Sequence, residues 1–354
     1  MRITFAGPNK DKQMNRSPFF ALMILAVCAA MFHGCKRDKY KVDVDKVPLE
    51  MRYRRLDRDV FRTPKATADE VLAKVKADYP DFYRPYFSGV LGLGDPDRPE
   101  FNVPLAGFIN DVYINQLVDE VNKTYSQTEP LEKELTAAFK RYHAFVPEAA
   151  VPDVVFCISA LNYSVVATDS VMAIGLDMFL GRNFEPYRAL SFPDYILYRK
   201  DREHLLPEVL QGWLLSEFPR DPSRNALVDH MVYTGKIMFL LGIMLPGYDD
   251  EKLFGYTPEA VRFIRENEAQ VWAYFIENKL LFTEDKREIM KFVDEAPFAA
   301  GMPREVPGRI GIWVGRNLVR SYMDSNPGVT VAQLMADNDY RAIFTQSKYK
   351  PRYK

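Results

Sequence analysis

Residues 151–181, VPDVVFCISALNYSVVATDSVMAIGLDMFLG, are the stretch that separates this chain from an all-helical protein. β-Branched and aromatic residues gather in three short runs, at 154–158, 165–167 and 171–176, a composition typical of strands. Asn162 and Asp169 lie between the runs and are common turn residues. The stretch therefore predicts three short strands in the middle of the chain.

The segments before this stretch have the spacing of amphipathic helices. Residues 67–80 predict a helix with Thr67 as its N-cap and Pro80 at its end. One continuous helix is predicted over 105–125 and another over 129–145.

Two further features complete the predicted fold class. Residues 51–61, MRYRRLDRDVF, predict an edge strand protected by charge, which ends in a turn at Asp57–Asp59. The chain after residue 181 is predicted to be mainly helical. The predicted fold class is α+β, mainly helical, with a small β-sheet formed by the three middle strands and the N-terminal one.

The composition indicates a globular chain with balanced charge. Of its 354 residues, 47% are hydrophobic, enough to form a core in one large domain or two modest ones. The formal net charge of -1 provides no basic surface for a polyanion, so nucleic acid is not an expected partner. Of the three cysteines, two lie in the N-terminal leader, which excludes a disulfide framework.

The N-terminus has the pattern of an export signal. Basic residues precede an apolar run, PFFALMILAVCAAMFHGC (18–35), whose length suits a signal peptide better than a membrane-spanning helix. Gly34 before Cys35 favours lipoprotein processing, so residues 1–34 are predicted as the signal peptide and Cys35 as the lipidated residue. The alternative is an uncleaved anchor in which Cys35 has no role.

The chain after the signal peptide is predicted to consist of two parts. Residues 35–50 are polar and basic at first, and they are predicted to form a lipidated tether. Residues 51–354 are predicted to form a single domain. Met14 is an alternative start, since the residues before it add little to the leader.

Residues 301–323, GMPREVPGRIGIWVGRNLVRSYM, raise the question of a phosphate-binding loop, because several glycines stand among four arginines. Neither a Lys-Ser/Thr pair nor the strand-to-helix fingerprint of a dinucleotide site accompanies them. If a helix begins near Pro307, three glycines fall on one face that another element can approach closely: Gly308, Gly311 and Gly315.

The arginines of the same segment fall on a separate stripe of that predicted helix: Arg309, Arg316 and Arg320. The simpler interpretation is a solvated stripe beside a tightly packed helix. The alternative is that these side chains contact an anionic ligand or a protein partner.

The evidence for a metal site is weak. After the leader the chain has three histidines, none within the His-Glu-x-x-His pattern that places two zinc ligands on one helix face. A scattered zinc site formed by His204, Glu208 and His230 is the alternative to ordinary packing of these side chains in helices. No metal and no cofactor are expected.

Candidates for nucleophilic catalysis have simpler interpretations as well. Cys157 lies in a predicted apolar strand, where a thiol is usually inert. Ser159 and Ser170 lack the Gly-x-Ser-x-Gly elbow of hydrolases. The paired carboxylates Asp249 and Asp250 are interpreted as part of a solvated turn.

Three runs of the chain resemble the gliding motility lipoprotein GldB family of Bacteroidetes: residues 229–285, residues 291–323 and the closing QSKYKPRYK at 346–354. The resemblance extends from about Arg52 to the C-terminus. It implies an exported lipoprotein that is associated with gliding motility in gliding species, and it implies no defined biochemical activity.

The family is also similar, at a greater distance, to bacterial zinc peptidases. That similarity implies a peptidase-like fold in which the segment 204–218 would carry His-Glu-x-x-His, and this chain lacks those ligands. Thr234 stands where the family commonly has an acid, and Arg316 with Asn317 where it commonly has Trp-Gln. The resemblance therefore implies a peptidase-like fold without the metal motif.

These features together predict an outer-membrane lipoprotein that faces the periplasm and acts as a non-catalytic binding or assembly factor. Its expected partners are the membrane, through the lipid anchor, and an envelope protein of unknown identity. One alternative is a divergent metal-dependent hydrolase or peptidase of the envelope. Another is a structural envelope protein without a specific partner.

Overall fold

A four-stranded mixed sheet organises the first half of the fold. The computed structural model describes residues 39–61 and 67–352, and the described residues from Asp43 onward form one compact unit. β1 and β4 lie parallel on either side of β2, and β3 pairs antiparallel with the outer edge of β4. The strands are β1 Tyr53–Arg55, β2 Asp153–Cys157, β3 Val165–Ala167 and β4 Val171–Gly175.

The sheet confirms the three strands predicted within 151–181 and the N-terminal edge strand. The turn predicted at Asp57–Asp59 is wrong, because helix α1 (Leu56–Phe61) follows β1 directly. Asp57 is buried at the start of this helix, and the Arg55 guanidinium donates hydrogen bonds of 2.8 and 2.6 Å to its carboxylate. The charged residues of this segment therefore stabilise a strand-to-helix junction.

Helices make up most of the remaining described chain, which confirms the α+β, mainly helical class. After α1 they are α2 Ala68–Asp78, α3 Asn102–Ile109, α4 Val112–Thr124, α5 Glu129–Phe145, α6 Glu185–Ala189, α7 Asp194–Leu197, α8 Leu205–Glu217, α9 Leu227–Met244, α10 Asp250–Phe254, α11 Pro258–Glu266, α12 Glu268–Glu277, α13 Lys286–Val293, α14 Ile310–Ser325, α15 Val331–Ala336 and α16 Tyr340–Ser347.

The N-terminal helices begin and end largely where the sequence predicts. Thr67 and Glu70 form a capping box at the start of α2, and α5 has its predicted bounds. The continuous helix predicted over 105–125 is wrong, because two helices, α3 and α4, occupy this segment. Asp111 separates them: its carboxylate accepts hydrogen bonds from the backbone amides of Tyr113 and Ile114, at 2.8 and 2.9 Å, and so caps α4.

The sheet packs on both faces. On one face, alternate residues of β2 and β4 enter a core built from the N-terminal helices: Val155, Cys157, Val171 and Ala173, with Leu56, Val75, Phe82 and Phe87. On the other face, Tyr53 stacks on Phe156 with ring centroids 6.2 Å apart. The Tyr53 hydroxyl donates to the carbonyl of Glu132 in α5 at 2.8 Å, which fixes the edge strand against that helix.

One buried carboxylate holds the loop that follows β2. Ala160 and Leu161 have positive φ angles of 55° and 62°, a conformation that costs energy for residues with a Cβ. Asp177 accepts hydrogen bonds from the amides of Ser159 and Leu161, at 2.8 and 2.7 Å, and from the Ser159 hydroxyl at 3.1 Å. Burial raises the pKa of Asp177 to about 6, and these hydrogen bonds act against the rise.

Helix α9 is long and apolar enough to cross a membrane, by length and composition alone. Its 18-residue window has a mean hydropathy of 1.3, yet 83% of that window is buried inside the fold. Among the described residues it is the one helix with these properties. Its burial is that of a core helix, around which the C-terminal half is assembled.

Helices α9 and α14 contact each other through their backbones. A Cβ atom on Gly315 would overlap the carbonyl group of Met231, and one on Gly235 would overlap the backbone of Gly315. Gly311 is also close-packed, since a Cβ there would lie 2.9 Å from the carbonyl oxygen of Phe292. Glycine is needed at 235 and 315 because no side chain separates α9 from α14, and at 311 because the backbone of α13 lies close.

Gly308 does not share this helical face. The predicted helix start at Pro307 is wrong: α14 begins at Ile310, because Arg309 has a φ of 60° and cannot belong to a right-handed helix. Gly308 lies in the preceding loop, where an added Cβ would overlap the backbone of Ala296.

Replacing Gly315 by alanine is expected to lower the free energy of unfolding by about 1–3 kcal/mol, because the added methyl group overlaps the Met231 carbonyl. Gly242→Ala in α9 is the matched control, since nothing lies within 4 Å of its added Cβ. That control should stabilise the protein by up to about 1 kcal/mol through helix propensity. Chemical denaturation measures both changes, and equal effects would contradict the backbone contact.

Candidate functional site

An open cleft of about 450 Å³ lies between residues 195–199, helix α11 and the loop 295–309 that leads into α14. We call it the arginine cleft. Gly308 and Arg309, two of the residues singled out from the sequence, line it. Its charged lining residues are Arg199, Arg262, Arg304, Arg309, Glu259, Glu266, Glu295 and Glu305.

Two arginines share one carboxylate at the base of the arginine cleft. Nη1 of Arg199 lies 2.9 Å from Oε1 of Glu295, and Nη1 of Arg309 lies 3.4 Å from the same oxygen. The two arginine side chains are 14% and 11% exposed, whereas Glu295 is 43% exposed. The two arginines and one glutamate at the base of the cleft therefore have a net charge of +1, and both guanidinium groups are poorly solvated.

Backbone contacts hold Arg309 in this position. Its Nη2 donates a hydrogen bond of 2.6 Å to the carbonyl of Phe254, the last residue of α10. The Tyr256 hydroxyl donates to the carbonyl of Gly308 at 2.9 Å and fixes the residue that precedes Arg309. The positive φ of Arg309 turns the chain into α14 and leaves the side chain in the cleft.

A glycine makes room for the second arginine. Gly255 ends α10 in the left-handed conformation, with φ 63°, and a Cβ on it would overlap the Cδ atom of Arg199. Glycine at this position therefore allows the left-handed conformation at the helix end and leaves space for the Arg199 side chain. The short helix α10 consequently sets the position of both arginines.

The rim of the cleft carries mixed charge and apolar surface. Arg304 and Glu305 are exposed on the loop, and Glu259 is exposed on α11. Tyr195, Phe263 and prolines 297 and 307 contribute apolar surface to the lining. A lining of this kind suits a polar peptide segment with an acidic group better than a small apolar molecule.

The predicted solvated arginine stripe is wrong for two of its three members. Arg309 precedes the helix and is buried, and Arg316 is largely buried against the rings of Phe254 and Trp313, 5.0 Å from each centroid. Arg320 is exposed. The stripe prediction fails because partners distant in sequence draw the first two side chains inward.

Asp250 is the partner of Arg316. Its carboxylate accepts a hydrogen bond of 2.8 Å from Arg316 and one of 2.6 Å from Arg265. Burial opposes ionisation of Asp250, yet the two guanidinium groups lower its pKa below the usual value. The solvated turn predicted for this residue is therefore wrong, while its neighbour Asp249 caps α10 through the amide of Lys252.

The residues of the hypothetical zinc site do not converge. In the described parts of the chain, no group of three His, Cys, Asp or Glu side chains is arranged to hold a metal ion. His204 is buried against the ring of Tyr198, and burial lowers its pKa. Glu208 instead pairs with Lys200 at 3.1 Å and accepts a hydrogen bond from Ser164.

The candidate nucleophiles have structural surroundings. Cys157 is buried in β2, and burial raises the pKa of its thiol, assisted by the nearby carboxylates of Asp177 and Asp57. The Ser159 hydroxyl donates to Asp177, and Ser170 is exposed in the turn before β4. Cys35 lies outside the described residues.

The sequence did not single out Arg199 or Glu295, the other members of the cleft base. They lie more than 90 residues apart in the chain and belong to no motif. One signal was present: Arg304, Arg309, Arg316 and Arg320 have only Glu305 and Asp324 as acidic neighbours within 301–325. Buried arginines in such a segment need carboxylates from elsewhere.

Replacing Arg316 by alanine is expected to destabilise the protein by about 1.5–3 kcal/mol, because Asp250 loses a charged hydrogen bond and two aromatic rings lose a packing partner. Arg320→Ala on the same helix is the control and should stay within about 0.5 kcal/mol. Denaturant titration of the two variants compares them directly. A larger effect at Arg320 would restore the solvated-stripe interpretation for Arg316.

Comparison with known proteins identifies the family to which this chain belongs. No curated protein and no solved structure matches the chain. The family model described as gliding motility protein GldB matches residues 37–351. This match covers nearly the whole chain, including the arginine cleft, α9 and α14, and so the chain belongs to the family of gliding motility protein GldB.

Proposed function

We propose that this protein is a lipoprotein of the cell envelope that supports gliding motility as a non-catalytic binding or assembly factor. The family match supports the association with motility, and the leader ending in Gly34-Cys35 supports export and lipidation. By this proposal the lipid lies in the outer membrane and the domain faces the periplasm. A distant relationship to zinc peptidases remains a prediction.

The observation that carries the binding role is the pair of arginines that share one carboxylate. Arg199 and Arg309 are desolvated, which strengthens their attraction for an anionic group. The single charge of Glu295 balances only one of the two guanidinium charges. Water also screens its carboxylate, because the Glu295 side chain is nearly half exposed. A carboxylate from a partner can therefore compete with Glu295 for the two guanidinium groups.

The location of Glu295 suits such an exchange. It lies two residues after the end of α13, in the irregular loop that leads to α14. Withdrawing Glu295 from the cleft breaks no helix or strand hydrogen bond. Arg309 keeps its hydrogen bond to the Phe254 carbonyl, and Arg199 keeps the space that Gly255 leaves for its side chain. The arginines form the receptor, and Glu295 fills it when no partner is bound.

The proposed partner is an envelope protein with an acidic segment. The cleft is open, about 450 Å³ in volume, and has apolar as well as charged walls, so that it accommodates a few side chains rather than a whole domain. The rim is mixed in charge, because glutamates accompany Arg262 and Arg304 there, so the attraction for an acidic group comes from the two arginines at the base of the cleft.

The surroundings of the candidate nucleophiles support a non-catalytic role. The Cys157 thiol is buried with a raised pKa, and the Ser159 hydroxyl is engaged with Asp177. In the arginine cleft itself, Thr257 uses its hydroxyl to cap α11. Neither Cys157 nor Thr257 is hydrogen-bonded to a base that could activate it, and the Asp177 carboxylate that accepts the Ser159 hydroxyl is also engaged with the backbone amides of Ser159 and Leu161.

Two substitutions at the cleft base should change partner binding in opposite directions. Glu295→Gln removes the internal competitor and should increase partner capture, while Arg199→Gln removes one guanidinium and should reduce it at least about tenfold, equivalent to about 1.4 kcal/mol. Glu277→Gln, at an exposed glutamate that does not line the cleft, is the matched control for Glu295→Gln. Capture is measured as photocrosslinking yield from benzoylphenylalanine at position 259 in the native envelope.

The same crosslinker at Arg320, which does not line the cleft, gives the background. Equal yields at positions 259 and 320, or parallel changes in the Glu295→Gln and Arg199→Gln variants, would contradict a partner site in the arginine cleft. Far-ultraviolet circular dichroism checks that each variant is folded.

The Cys35→Ala variant should lose all labelling by a clickable fatty acid, because the thiol that carries the lipid is absent. A Cys28→Ala variant within the leader keeps the Gly34-Cys35 pair and should label normally. Labelling is measured by in-gel fluorescence of the immunoprecipitated protein. Persistent labelling of Cys35→Ala would show that the anchor is elsewhere.

A further inference from the structure

Lys236 in α9 is a buried cation without a carboxylate partner. Its side chain is 2% exposed, and no described carboxylate lies within ion-pair distance of its ammonium group. Nζ donates a hydrogen bond of 2.5 Å to the backbone carbonyl of Asp337 and lies 5.3 Å from the centroid of the Tyr340 ring. Lysines are almost never fully buried unless they are paired.

The contacts of Lys236 leave its charge only partly compensated. An ammonium group has three N–H donors, and one of them is used by the Asp337 carbonyl. A carbonyl dipole and an aromatic ring stabilise a cation less than a carboxylate does. Burial accordingly lowers the pKa of Lys236 to about 8, against a smaller opposing influence of Asp337.

Lys236 also lines a cavity of about 230 Å³ between α8, α9 and the α15–α16 connection. This volume suits a small molecule or one side chain. The walls are largely apolar or aromatic: Phe218, Pro219, Tyr233, Ile237, Met335, Ala336 and Tyr340, with Asn338 and Glu217 as the other polar members.

The other titratable groups around the cavity do not neutralise Lys236. The Tyr233 hydroxyl is used in a hydrogen bond of 2.9 Å to the carbonyl of Phe218, and Tyr340 is directed to Asn338 at 3.3 Å. Glu217 has a raised pKa whose cause is burial alone, with no contribution from Lys236. The cavity thus has one cationic group and a single carboxylate that is not paired with it.

We propose that this cavity binds a small monocarboxylate with an aromatic or apolar body, whose carboxylate accepts a hydrogen bond from one of the two remaining N–H groups of Lys236. A single negative charge matches the single ammonium group. A phosphate dianion would leave one charge unbalanced next to Glu217, in a largely apolar cavity. The aromatic walls suit a phenyl or branched aliphatic group, which is the part of the ligand that fills the remaining volume.

The carboxylate could be that of a free acid or that of a peptide C-terminus, and two probes separate these sources. Phenylacetate represents the free acid, and N-acetyl-glycyl-phenylalanine represents the C-terminal residue of a peptide. Isothermal titration calorimetry of the full-length protein in detergent, at pH 8, measures binding of each probe. Tighter binding of phenylacetate assigns the free acid, and tighter binding of the dipeptide assigns the C-terminus.

Proton uptake is the readout specific to Lys236. At pH 8 a lysine with a pKa of about 8 is about half protonated, so pairing with a carboxylate should take up as much as about half a proton per ligand. Repeating the titration in buffers of different ionisation enthalpy measures this uptake. Phenylacetamide, the uncharged analogue, should show neither binding nor uptake.

Lys236→Met keeps most of the side-chain volume, removes the charge and should abolish both binding and uptake. Lys279→Met removes an exposed lysine away from the cavity and should behave as the wild type. Thermal unfolding verifies that Lys236→Met is folded. Binding of neither probe, binding without proton uptake in the wild type, or equal binding by folded Lys236→Met would overturn the proposal.

Discussion

The close contact between the backbones of α9 and α14 is the constraint on which the C-terminal half depends. Gly235 and Gly315 allow the helices to meet without an intervening side chain, and any Cβ at Gly315 would meet the Met231 carbonyl. Close-packed interiors cannot absorb such an overlap without shifting whole elements. Arg309 immediately precedes α14, and Lys236 follows Gly235 in α9. The contact between the two helices therefore positions Arg309 in the arginine cleft and Lys236 in the smaller cavity that it lines.

The parts of the fold that the sequence predicts are those governed by local patterns. The runs at 154–158, 165–167 and 171–176 became strands because β-branched residues with turn residues between them leave few alternatives. The strand order, in contrast, could not be predicted from local patterns. β1 pairs with β2 across about 100 residues, and no local pattern specifies that partner or its parallel direction.

In the candidate site too, the sequence predicted the features set by local patterns and missed those set by distant partners. Helical spacing correctly identified Gly311 and Gly315 as neighbours on one face, but it treated Arg309 as a helical residue because spacing contains no information about a positive φ. Arg316 was expected in solvent, since its partner Asp250 is 66 residues away and belongs to a different helix. Long-range ion pairs reverse the exposure that a periodic pattern predicts, and arginine is the residue for which this happens most readily, because its planar group stacks on rings while it binds carboxylates.

The buried charges of the described chain fall into balanced and unbalanced groups, and this distinction indicates where ligands belong. Asp57 is matched by Arg55, and Glu208 by Lys200, so each of these carboxylates has a cationic partner. The cleft base and Lys236 each retain a positive charge that the protein itself does not fully compensate. Desolvating such a charge is costly unless an anion completes the site. Membership of the gliding motility family associates the chain with a cellular process, and by our proposals these two partly compensated cations would contribute to it by binding carboxylates.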